Sequence, residues 1–530
     1  MEHVTPFVRF VAVPVLLAWL LGGCAGGGNT NGSGSGNTLV VARVKDAVIL
    51  DPALATDGLS LNLTQEVLWG LVRFKPGSFD IIPGIAQSWS SSADGKTWTF
   101  RLKKGLKFSD GTPADAQAVK FNFDRWRLVS DPNHGNDPYQ YYVDMFGGYP
   151  GVIEDVRVPN SQTIVFTLKR SMAPFLRDVA MPPFAIGSPT AIRNDRQAYS
   201  QKPVGYGPYT VAEWVKDDHI TLQANPAFST PHFQTVIVRD IPDQATSVLS
   251  MERGDVDILT DPRPDDAKQL ASKPGIVVYQ QPTNNNSYIA LNMEKSPFDK
   301  LLVRKALAYA INVPQIVAAF YTQGARVADN WTPPGMLGGN PAVRHYPFDP
   351  AKAKALLAQV GVPAFSTQLF YTTAPRPYTP EPQRIAEAVQ ANLKFIGVNV
   401  TLVPLEWAVF LNKIRDGEHP MCLIGWSGDN GDPDNFMYPL LDQDSAHKPD
   451  AQNYSFWRDP KFHALMLAGQ GTPVDTQRAA IYARANAMIH DEVPAIPIVH
   501  TTVPIAMKAS IKGYVPRPDT AINFELLLGS

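Results

Sequence analysis

The residues best suited to binding chemistry lie in the stretch GWSGDNGDPDNF, residues 425–436. It carries three carboxylates, Asp429, Asp432 and Asp434, and the indole of Trp426. Its glycines, proline and asparagines disfavour both strand and helix, so we expect a loop that follows the apolar strand at 421–424. Loops on a rigid scaffold often carry binding groups. A solvated acidic turn has the same composition, so this stretch alone does not decide between the two.

A calcium loop is one function that this acidic stretch must be tested for. An EF-hand loop needs oxygen ligands at its first, third and fifth positions and glycine at the sixth. Counted from Asp429, those three positions hold Asp429, Gly431 and Pro433. We therefore predict no metal here and expect Asp432 and Asp434 to form structural hydrogen bonds.

Catalytic motifs are missing from the whole sequence. It contains no HExxH, no G-x-S-x-G, no P-loop and no CxxC, and its ten histidines show no ligand-like spacing. We predict that the protein is not an enzyme and binds no cofactor and no metal.

The composition is that of a globular protein. The chain has 530 residues, of which 44% are hydrophobic and 18% charged, with a formal net charge of −2. That length suffices for two or three domains with their own cores. A near-neutral balance gives no reason to expect nucleic acid as a partner.

The first residues resemble an export signal. Arg9 precedes an apolar run at 10–21, which is shorter than the roughly 20 residues of a membrane-spanning helix but suits a signal peptide. The run ends in Leu21-Gly22-Gly23-Cys24, which resembles a bacterial lipobox, with an ordinary cleaved signal as the alternative. We predict a lipoprotein signal peptide at 1–23, lipidation of Cys24, and an extracytoplasmic protein lipid-anchored to the cell membrane.

Residues 24–37 follow as a flexible tether rich in Gly, Ser and Asn. After cleavage Cys422 is the one remaining thiol beyond the anchor, so we expect no internal disulfide and a buried Cys422.

Strand and helix patterns mix along the rest of the chain and predict an α/β fold. Residues 97–103 alternate apolar and polar, and 156–158 with 163–168 predict a hairpin. Asp349 and Pro350 open a helix that Gly361 ends. Helices at 383–395 and 477–489 each precede a strand, at 398–403 and 495–499.

Several long segments resemble one family, the family 5 extracellular solute-binding proteins of ABC importers. They are IAQSW (85–89), DGKTWTFRLKKGLKFSDGTP (94–113), KPVGYGPY (202–209), DDHITLQANP (217–226), DQATSVLSMERGDVDI (243–258) and SYIALNMEKSPFD (287–299). DNWTPPGM (329–336), RPYTP (376–380) and the acidic stretch narrow the resemblance to the dipeptide-binding branch, which includes haem- and glutathione-binding relatives.

The resemblance implies the periplasmic-binding-protein fold of the large, three-subdomain class, with two lobes joined by two hinge strands. Lobe I is then expected at 38–54, 204–281 and 500–530, with an inserted subdomain at 55–203. Lobe II is expected at 282–499 and carries the acidic stretch.

The resemblance also implies a site. A dipeptide is a zwitterion, and an Arg fork matches a carboxylate in two places. Similarity to dipeptide-binding proteins assigns the ligand's α-ammonium to Asp429 and its α-carboxylate to Arg376. Trp426 and Tyr378, beside these two in sequence, either wall the pocket or pack in the core.

The expected partners are a dipeptide or short peptide and ABC permease subunits, with the receptor acting as a monomer. Haem, glutathione and a chemosensory role on the same fold are the alternatives.

Overall fold

The computed structural model describes residues 37–228 and 231–529. The predicted signal peptide, Cys24 and nearly all of the tether lie outside the described residues. The described chain forms nineteen strands, sixteen α-helices and three short 3-10 turns.

The strands, in chain order, are β1 (Thr38–Arg43), β2 (Val72–Phe74), β3 (Ile81–Pro83), β4 (Ala86–Ser91), β5 (Thr97–Leu102), β6 (Ile153–Asn160), β7 (Thr163–Leu168), β8 (Tyr209–Val215), β9 (His219–Ala224), β10 (Thr235–Asp240), β11 (Ile258–Thr260), β12 (Ile276–Pro282), β13 (Asn285–Leu291), β14 (Arg326–Val327), β15 (Phe365–Thr372), β16 (Val398–Leu405), β17 (Met421–Ser427), β18 (Ala495–His500) and β19 (Thr502–Lys508).

The α-helices are α1 (Gly58–Val67), α2 (Ala116–Arg127), α3 (Gln140–Phe146), α4 (Phe175–Asp178), α5 (Pro189–Asn194), α6 (Arg196–Gln201), α7 (Gln244–Arg253), α8 (Pro264–Ala271), α9 (Leu301–Ala310), α10 (Val313–Phe320), α11 (Pro350–Gln359), α12 (Pro382–Lys394), α13 (Trp407–Arg415), α14 (Asp434–Leu441), α15 (Pro460–Gly471) and α16 (Asp475–Glu492). The 3-10 turns are Pro182–Phe184, Gln443–Ser445 and Phe524–Leu526.

A seven-stranded sheet forms one part of the molecule, in the order β12-β19-β11-β1-β10-β9-β8. Strand β1 lies inside it, parallel to both β10 and β11, while the remaining pairs are antiparallel. Apolar side chains on both faces are buried, in two separate clusters. We call this sheet and the helices packed on it the seven-stranded unit.

A six-stranded sheet forms a second part, in the order β14-β18-β13-β17-β15-β16. All seven residues of β13 are buried, since packed side chains cover both faces of this sheet. Strands β15, β16 and β17 are parallel neighbours, so they point their carboxyl ends to the same edge. We call this part the six-stranded unit.

Residues 44–208, between β1 and β8, contain two smaller sheets. Strands β4, β5, β7 and β6 form an antiparallel sheet, and β2 pairs with β3. Their aromatic-rich core is separate from the cores of the two larger units. We call these residues the insertion.

The chain crosses between the two large units twice, from β12 to β13 and from β18 to β19. The crossings are short and joined to each other: Thr283 donates to the Thr501 carbonyl at 2.8 Å, and Asn285 and Thr501 exchange two hydrogen bonds of 2.7 and 3.0 Å. Two adjacent crossings of this kind form a hinge, because a few backbone rotations there move one unit against the other.

Most of the elements predicted from the sequence are confirmed. The predicted strand at 97–103 is β5, the predicted hairpin is β6–β7, and α11, α12 and α16 lie where their patterns place them. Asp349 caps α11 by accepting the Lys352 amide at 2.9 Å, and Gly361 adopts a positive φ of 70° at its end. The mixed α/β fold class is confirmed, and Cys422 is fully buried.

The predicted loop at 425–436 is wrong at both ends. Strand β17 continues to Ser427 because its backbone pairs with β13, so Gly425 and Trp426 are strand residues. Helix α14 begins at Asp434, whose amide donates to the Asp432 carboxylate at 3.0 Å. Only residues 428–433 form the loop.

Across residues 37–228 and 231–529 we find no individual helix with the length and apolar character of a membrane span, although α9 and α10, bent by 46°, meet that criterion as a pair.

Candidate functional site

The loop at 428–433 is fixed at both ends by buried asparagines. The Asn284 carbonyl accepts the Gly428 amide at 2.6 Å, and its side chain donates to the Gly428 carbonyl at 3.2 Å. Asn435 Oδ1 accepts the Asp429 amide at 3.1 Å and the Trp426 indole N–H at 3.0 Å. The backbone of Asp429 is therefore positioned by its neighbours, which leaves its carboxylate available.

The Asp429 carboxylate forms no ion pair with any described residue. Its Oδ2 atom is buried and has no hydrogen-bond partner among them. Burial raises the pKa of Asp429 to about 7, opposed by the Tyr141 hydroxyl and reinforced by repulsion from Asp519 and Asp144. A buried carboxylate without a partner destabilises the protein unless a cation reaches it, so this group is suited to accept an ammonium.

Arg376 lies in a tight turn after β15. Its amide donates to the Thr379 carbonyl at 3.1 Å and its carbonyl accepts the Thr379 amide at 2.8 Å. The guanidinium carbon lies 3.6 Å from the centre of the Trp407 ring, a cation–π arrangement that fixes its plane.

The guanidinium of Arg376 is also without an ion-pair partner within the described ranges, and its Nε is buried without an acceptor. Burial lowers its pKa below the ordinary value, while nearby Tyr378, Asp57 and Glu406 oppose the shift. An Arg held flat by an aromatic ring presents its free edge, which matches the two oxygens of a carboxylate.

Tyr378 and Trp426 lie on neighbouring elements. The Tyr378 ring rests on Gly425, where a Cβ atom would come within 2.4 Å of the ring, so glycine is required for this contact. Tyr378 is 8% exposed, so its side chain packs in the core and does not line an open pocket. Trp426 is half-buried and, through Asn435, shares a hydrogen-bond acceptor with the Asp429 amide.

Asp57, at the N-terminus of α1, lies close enough to affect residues at both charges. It acts electrostatically on Arg376 and also on Tyr141, whose hydroxyl neighbours Asp429. Asp429 and Arg376 belong to the six-stranded unit, whereas Tyr141 lies on α3 of the insertion. Asp57 and Tyr141, both in the insertion, therefore lie near the two charges of the six-stranded unit.

Asp432 and Asp434 have partners within the six-stranded unit. Asp432 forms a 2.7 Å ion pair with Arg478, and Asp434 accepts the Gln470 side-chain amide at 3.0 and 3.1 Å. Their role is structural: they fix the loop and the start of α14.

One cluster of possible metal ligands exists in the described part of the chain, formed by Asp442, Asp444 and His463. The Asp442 carboxylate already contacts His463 Nδ1 at 2.9 Å and accepts the Asp444 amide at 2.9 Å. Asp444 accepts the Tyr438 hydroxyl at 3.0 Å. These internal hydrogen bonds account for the groups.

Sequence reasoning missed four residues that surround the two charges: Tyr141, Trp407, Asn284 and Asn435. Asn435 lies inside the quoted acidic stretch, where its position next to Asp434 gave the only available hint. Tyr141 lies in the aromatic run YQYYVDMF at 139–146, a pattern that indicates an unusual surface but not its partner. Asn284 and Trp407 carry no sequence signal, since their roles depend on contacts far along the chain.

Known proteins resemble this chain over nearly its whole length. The family described as bacterial extracellular solute-binding proteins, family 5 Middle, matches residues 80–448. The dipeptide-binding protein of Escherichia coli (strain K12) is 34% identical over 506 residues, which covers 92% of this chain and 94% of that protein. Heme-binding protein A of Haemophilus influenzae is 34% identical over 507 residues, covering 92% and 91%.

A solved structure has the same fold. The ABC transporter-associated periplasmic binding protein DppA from Helicobacter pylori, in complex with the peptide STSA, superposes with a TM-score of 0.83 at 32% identity. The match covers 93% of this chain and 98% of that one.

Proposed function

The chain belongs to the family 5 bacterial extracellular solute-binding proteins, and we propose that it is the substrate-binding receptor of an ABC importer for dipeptides or other short peptides. The observation that supports the proposal is that Asp429 and Arg376 each have a buried polar atom without a hydrogen-bond partner among the described residues. We propose that both charges face one cleft. A free peptide ends in one ammonium and one carboxylate, so the two charges match its two ends.

The two terminal contacts are strong enough to dominate affinity. Charges about 4 Å apart interact by ~4 kcal/mol at an effective dielectric of 20, before desolvation is subtracted. Micromolar binding needs about 8 kcal/mol. Ligand side chains then contribute little, which suits a receptor for peptides of varied sequence. This role is binding, and we assign no catalytic step to the cleft.

We use the two connections between the large units, β12 to β13 and β18 to β19, to divide the receptor into two lobes. We propose lobe I at 38–54, 204–281 and 500–530, with the inserted subdomain at 55–203, and lobe II at 282–499. Asp429 and Arg376 lie on lobe II, and Tyr141 and Asp57 face them from the other side. Rotation at residues 283–285 and 500–502 would then open and close the cleft around a ligand, and the closed receptor would dock on permease subunits as a monomer.

Peptide length is the property that tests this function. Each added residue extends a peptide by roughly 3.3–3.6 Å, far beyond the tolerance of a hydrogen bond near 2.9 Å. Two fixed charges in a closed cleft therefore select one length. We expect dipeptides of varied side chain to bind within a narrow range, and tri- and tetrapeptides at least about tenfold more weakly.

A thermal-shift panel of di-, tri- and tetrapeptides measures this selectivity, because a ligand of the folded state raises its stability according to its affinity. Equal shifts at all lengths would contradict dipeptide selection and indicate an oligopeptide receptor. Haem and glutathione belong in the same panel, since heme-binding protein A is as similar to this chain as the dipeptide-binding protein is. A shift with haem or glutathione and none with any peptide would change the ligand assignment to that compound. A protein that binds peptide but has no ABC permease partner would support the chemosensory role instead.

Membrane attachment is a separate prediction, which rests on the LGGC sequence at 21–24. The Cys24 thiol would be the acylation point, so Cys24→Ala should abolish lipidation and leave the protein soluble. Phase partitioning in detergent, with the unaltered chain beside the variant, measures the change. An unaltered protein that stays in the aqueous phase would show that the lipobox interpretation is wrong.

A further inference from the structure

The insertion touches the six-stranded unit next to Asp429. The side-chain amide of Asn430 donates to Asp178 Oδ1 at 2.7 Å, across the cleft. Arg177 Nη1 donates to the Asn430 carbonyl at 3.4 Å, and the Ala173 amide donates to the Gln470 carbonyl at 2.7 Å. The residue that follows Asp429 is thus held directly by the opposite wall.

Three carboxylates meet at this contact with too little positive charge to balance them. Asp178, on α4, is 2% exposed and lies in the field of Asp434 and Asp432 on the six-stranded unit. The guanidinium of Arg478 acts on all three, but it is already bound to Asp432 at 2.7 Å.

The other arginines near this contact do not neutralise Asp178 in place of Arg478. Arg177 lies on the same short helix as Asp178, but its side chain donates to the carbonyls of Phe79 and Asn430. Arg170 acts on Asp434. An ionised Asp178 would therefore be buried beside like charges.

The contact also lacks hydrogen-bond donors. Asp178 Oδ2 and Gln470 Oε1 are both buried acceptors for which the described residues offer no donor. An unsatisfied buried acceptor destabilises the contact. A proton on Asp178 turns one of the two acceptors into a donor and removes one negative charge.

We propose that Asp178 is a positioning residue that holds Asn430, and with it the Asp429 loop, across the cleft only when Asp178 carries a proton, so that closure takes up a proton. The link to ligand affinity rests on the proposed function, because it requires closure to accompany capture.

The direction of the pH effect follows from the two states. In the closed state burial raises the pKa of Asp178 well above its ordinary value, with repulsion from Asp434 and Asp432 adding to the shift. In the open state the carboxyl meets water and returns toward the ordinary pKa of about 3.9. Between these two values a rise in pH weakens the closed state, by up to about tenfold per pH unit.

Asp429 contributes a pH effect of the opposite sign. Its pKa is about 7 when unpaired, and a bound ammonium needs the ionised form, so capture releases a proton there. The total pH profile of affinity therefore mixes two effects. A variant that removes only the Asp178 effect separates them.

The experiment compares Asp178→Asn with the unaltered protein by titration calorimetry with the dipeptide Ala-Leu, from pH 5 to 8.5. Asparagine keeps the acceptor for Asn430 and supplies the donor permanently. We expect the affinity of the unaltered protein, divided by that of the variant, to rise at least about tenfold from pH 8 to pH 6. The variant should also take up fewer protons on binding, measured in buffers of different ionisation enthalpy.

Two further variants serve as controls for this comparison. Asp155→Asn removes one half-buried carboxylate from the same insertion, 3.2 Å from Arg157, and should leave the ratio at one throughout. Asp178→Ala removes the acceptor and should weaken binding at every pH. A ratio for Asp178→Asn that does not change with pH would overturn the proposal, since a merely structural role shifts affinity by a constant factor.

The proposal remains testable if no peptide binds the unaltered protein, a result that would overturn the proposed function instead. Small-angle X-ray scattering of the ligand-free protein then measures closure directly. We expect the radius of gyration to fall from pH 8 to pH 5 in the unaltered protein and to stay constant in Asp178→Asn. Identical profiles in both would overturn the proton-linked contact.

Discussion

Asp429→Asn is expected to weaken dipeptide binding by about 150- to 4,000-fold, because removing one partner of a buried ion pair costs about 3–5 kcal/mol. Asparagine has nearly the same shape, so the hydrogen bonds of the loop backbone to Asn284 and Asn435 remain. The loss therefore reports on charge alone. Arg376→Ala should cost less, because the shorter side chain leaves space for water to solvate the ligand's carboxylate.

Titration calorimetry with a dipeptide measures the loss, and Asp416→Asn is the control. Asp416 is exposed on the same unit, so its replacement removes the same charge without touching the cleft. An unchanged affinity in Asp429→Asn would remove the central claim of the proposed function.

The same variant should change the stability of the ligand-free protein in a pH-dependent way. The pKa of Asp429 is about 7 in the folded state and about 3.9 when the chain is unfolded. Because the folded pKa is the higher one, this group's contribution to stability is complete below pH 4 and is lost as the pH rises through 7. Asp429→Asn should lack that loss, and the difference in melting temperature between the two proteins should grow from pH 4 to pH 8.

Arg478→Met is expected to lower the free energy of unfolding by about 3–5 kcal/mol, the cost of leaving a buried charge uncompensated. Arg478 is 3% exposed, pairs with Asp432 at 2.7 Å and donates to the Gly469 carbonyl at 3.0 Å. Without it Asp432 would be buried beside Asp434. Urea unfolding followed by tryptophan fluorescence measures the change.

The structure offers a matched control for this substitution. The same guanidinium also contacts Asp475 at 3.7 Å, but that carboxylate is 75% exposed. Exposed ion pairs contribute about 0–1 kcal/mol, so Asp475→Asn should have little effect. The double variant Arg478→Met with Asp432→Asn should recover much of the loss. If it were as unstable as the single variant, the ion pair would not be the cause.

Local elements were predictable because their signals are local. Asp349, Pro350 and Gly361 mark the two ends of α11 within twelve residues of sequence, and the alternation in β5 is visible by itself. The end of β17 was not predictable in this way. Gly425 and Trp426 resemble loop residues, and only their pairing with β13, more than a hundred positions earlier, keeps them in a strand.

The part of the site that could be predicted came from the resemblance to dipeptide-binding proteins. Asp429 and Arg376 were assigned from their similarity to dipeptide-binding proteins, and their roles remain predictions. No pattern in the sequence could place Trp407 against Arg376 or Tyr141 beside Asp429, because these contacts depend on how distant segments pack. The contact between Asp178 and Asn430 spans the cleft and is likewise a product of tertiary structure alone.

Strand β19 lies inside the seven-stranded sheet, between β12 and β11, although it comes close to the end of the chain. It pairs Met507 with Ile258 and with Val277, so this sheet is interrupted until residues 502–508 have been synthesised. Contacts of such long range slow folding, because a large loop must close before they form. A nascent chain therefore cannot complete this sheet before β19 has been synthesised.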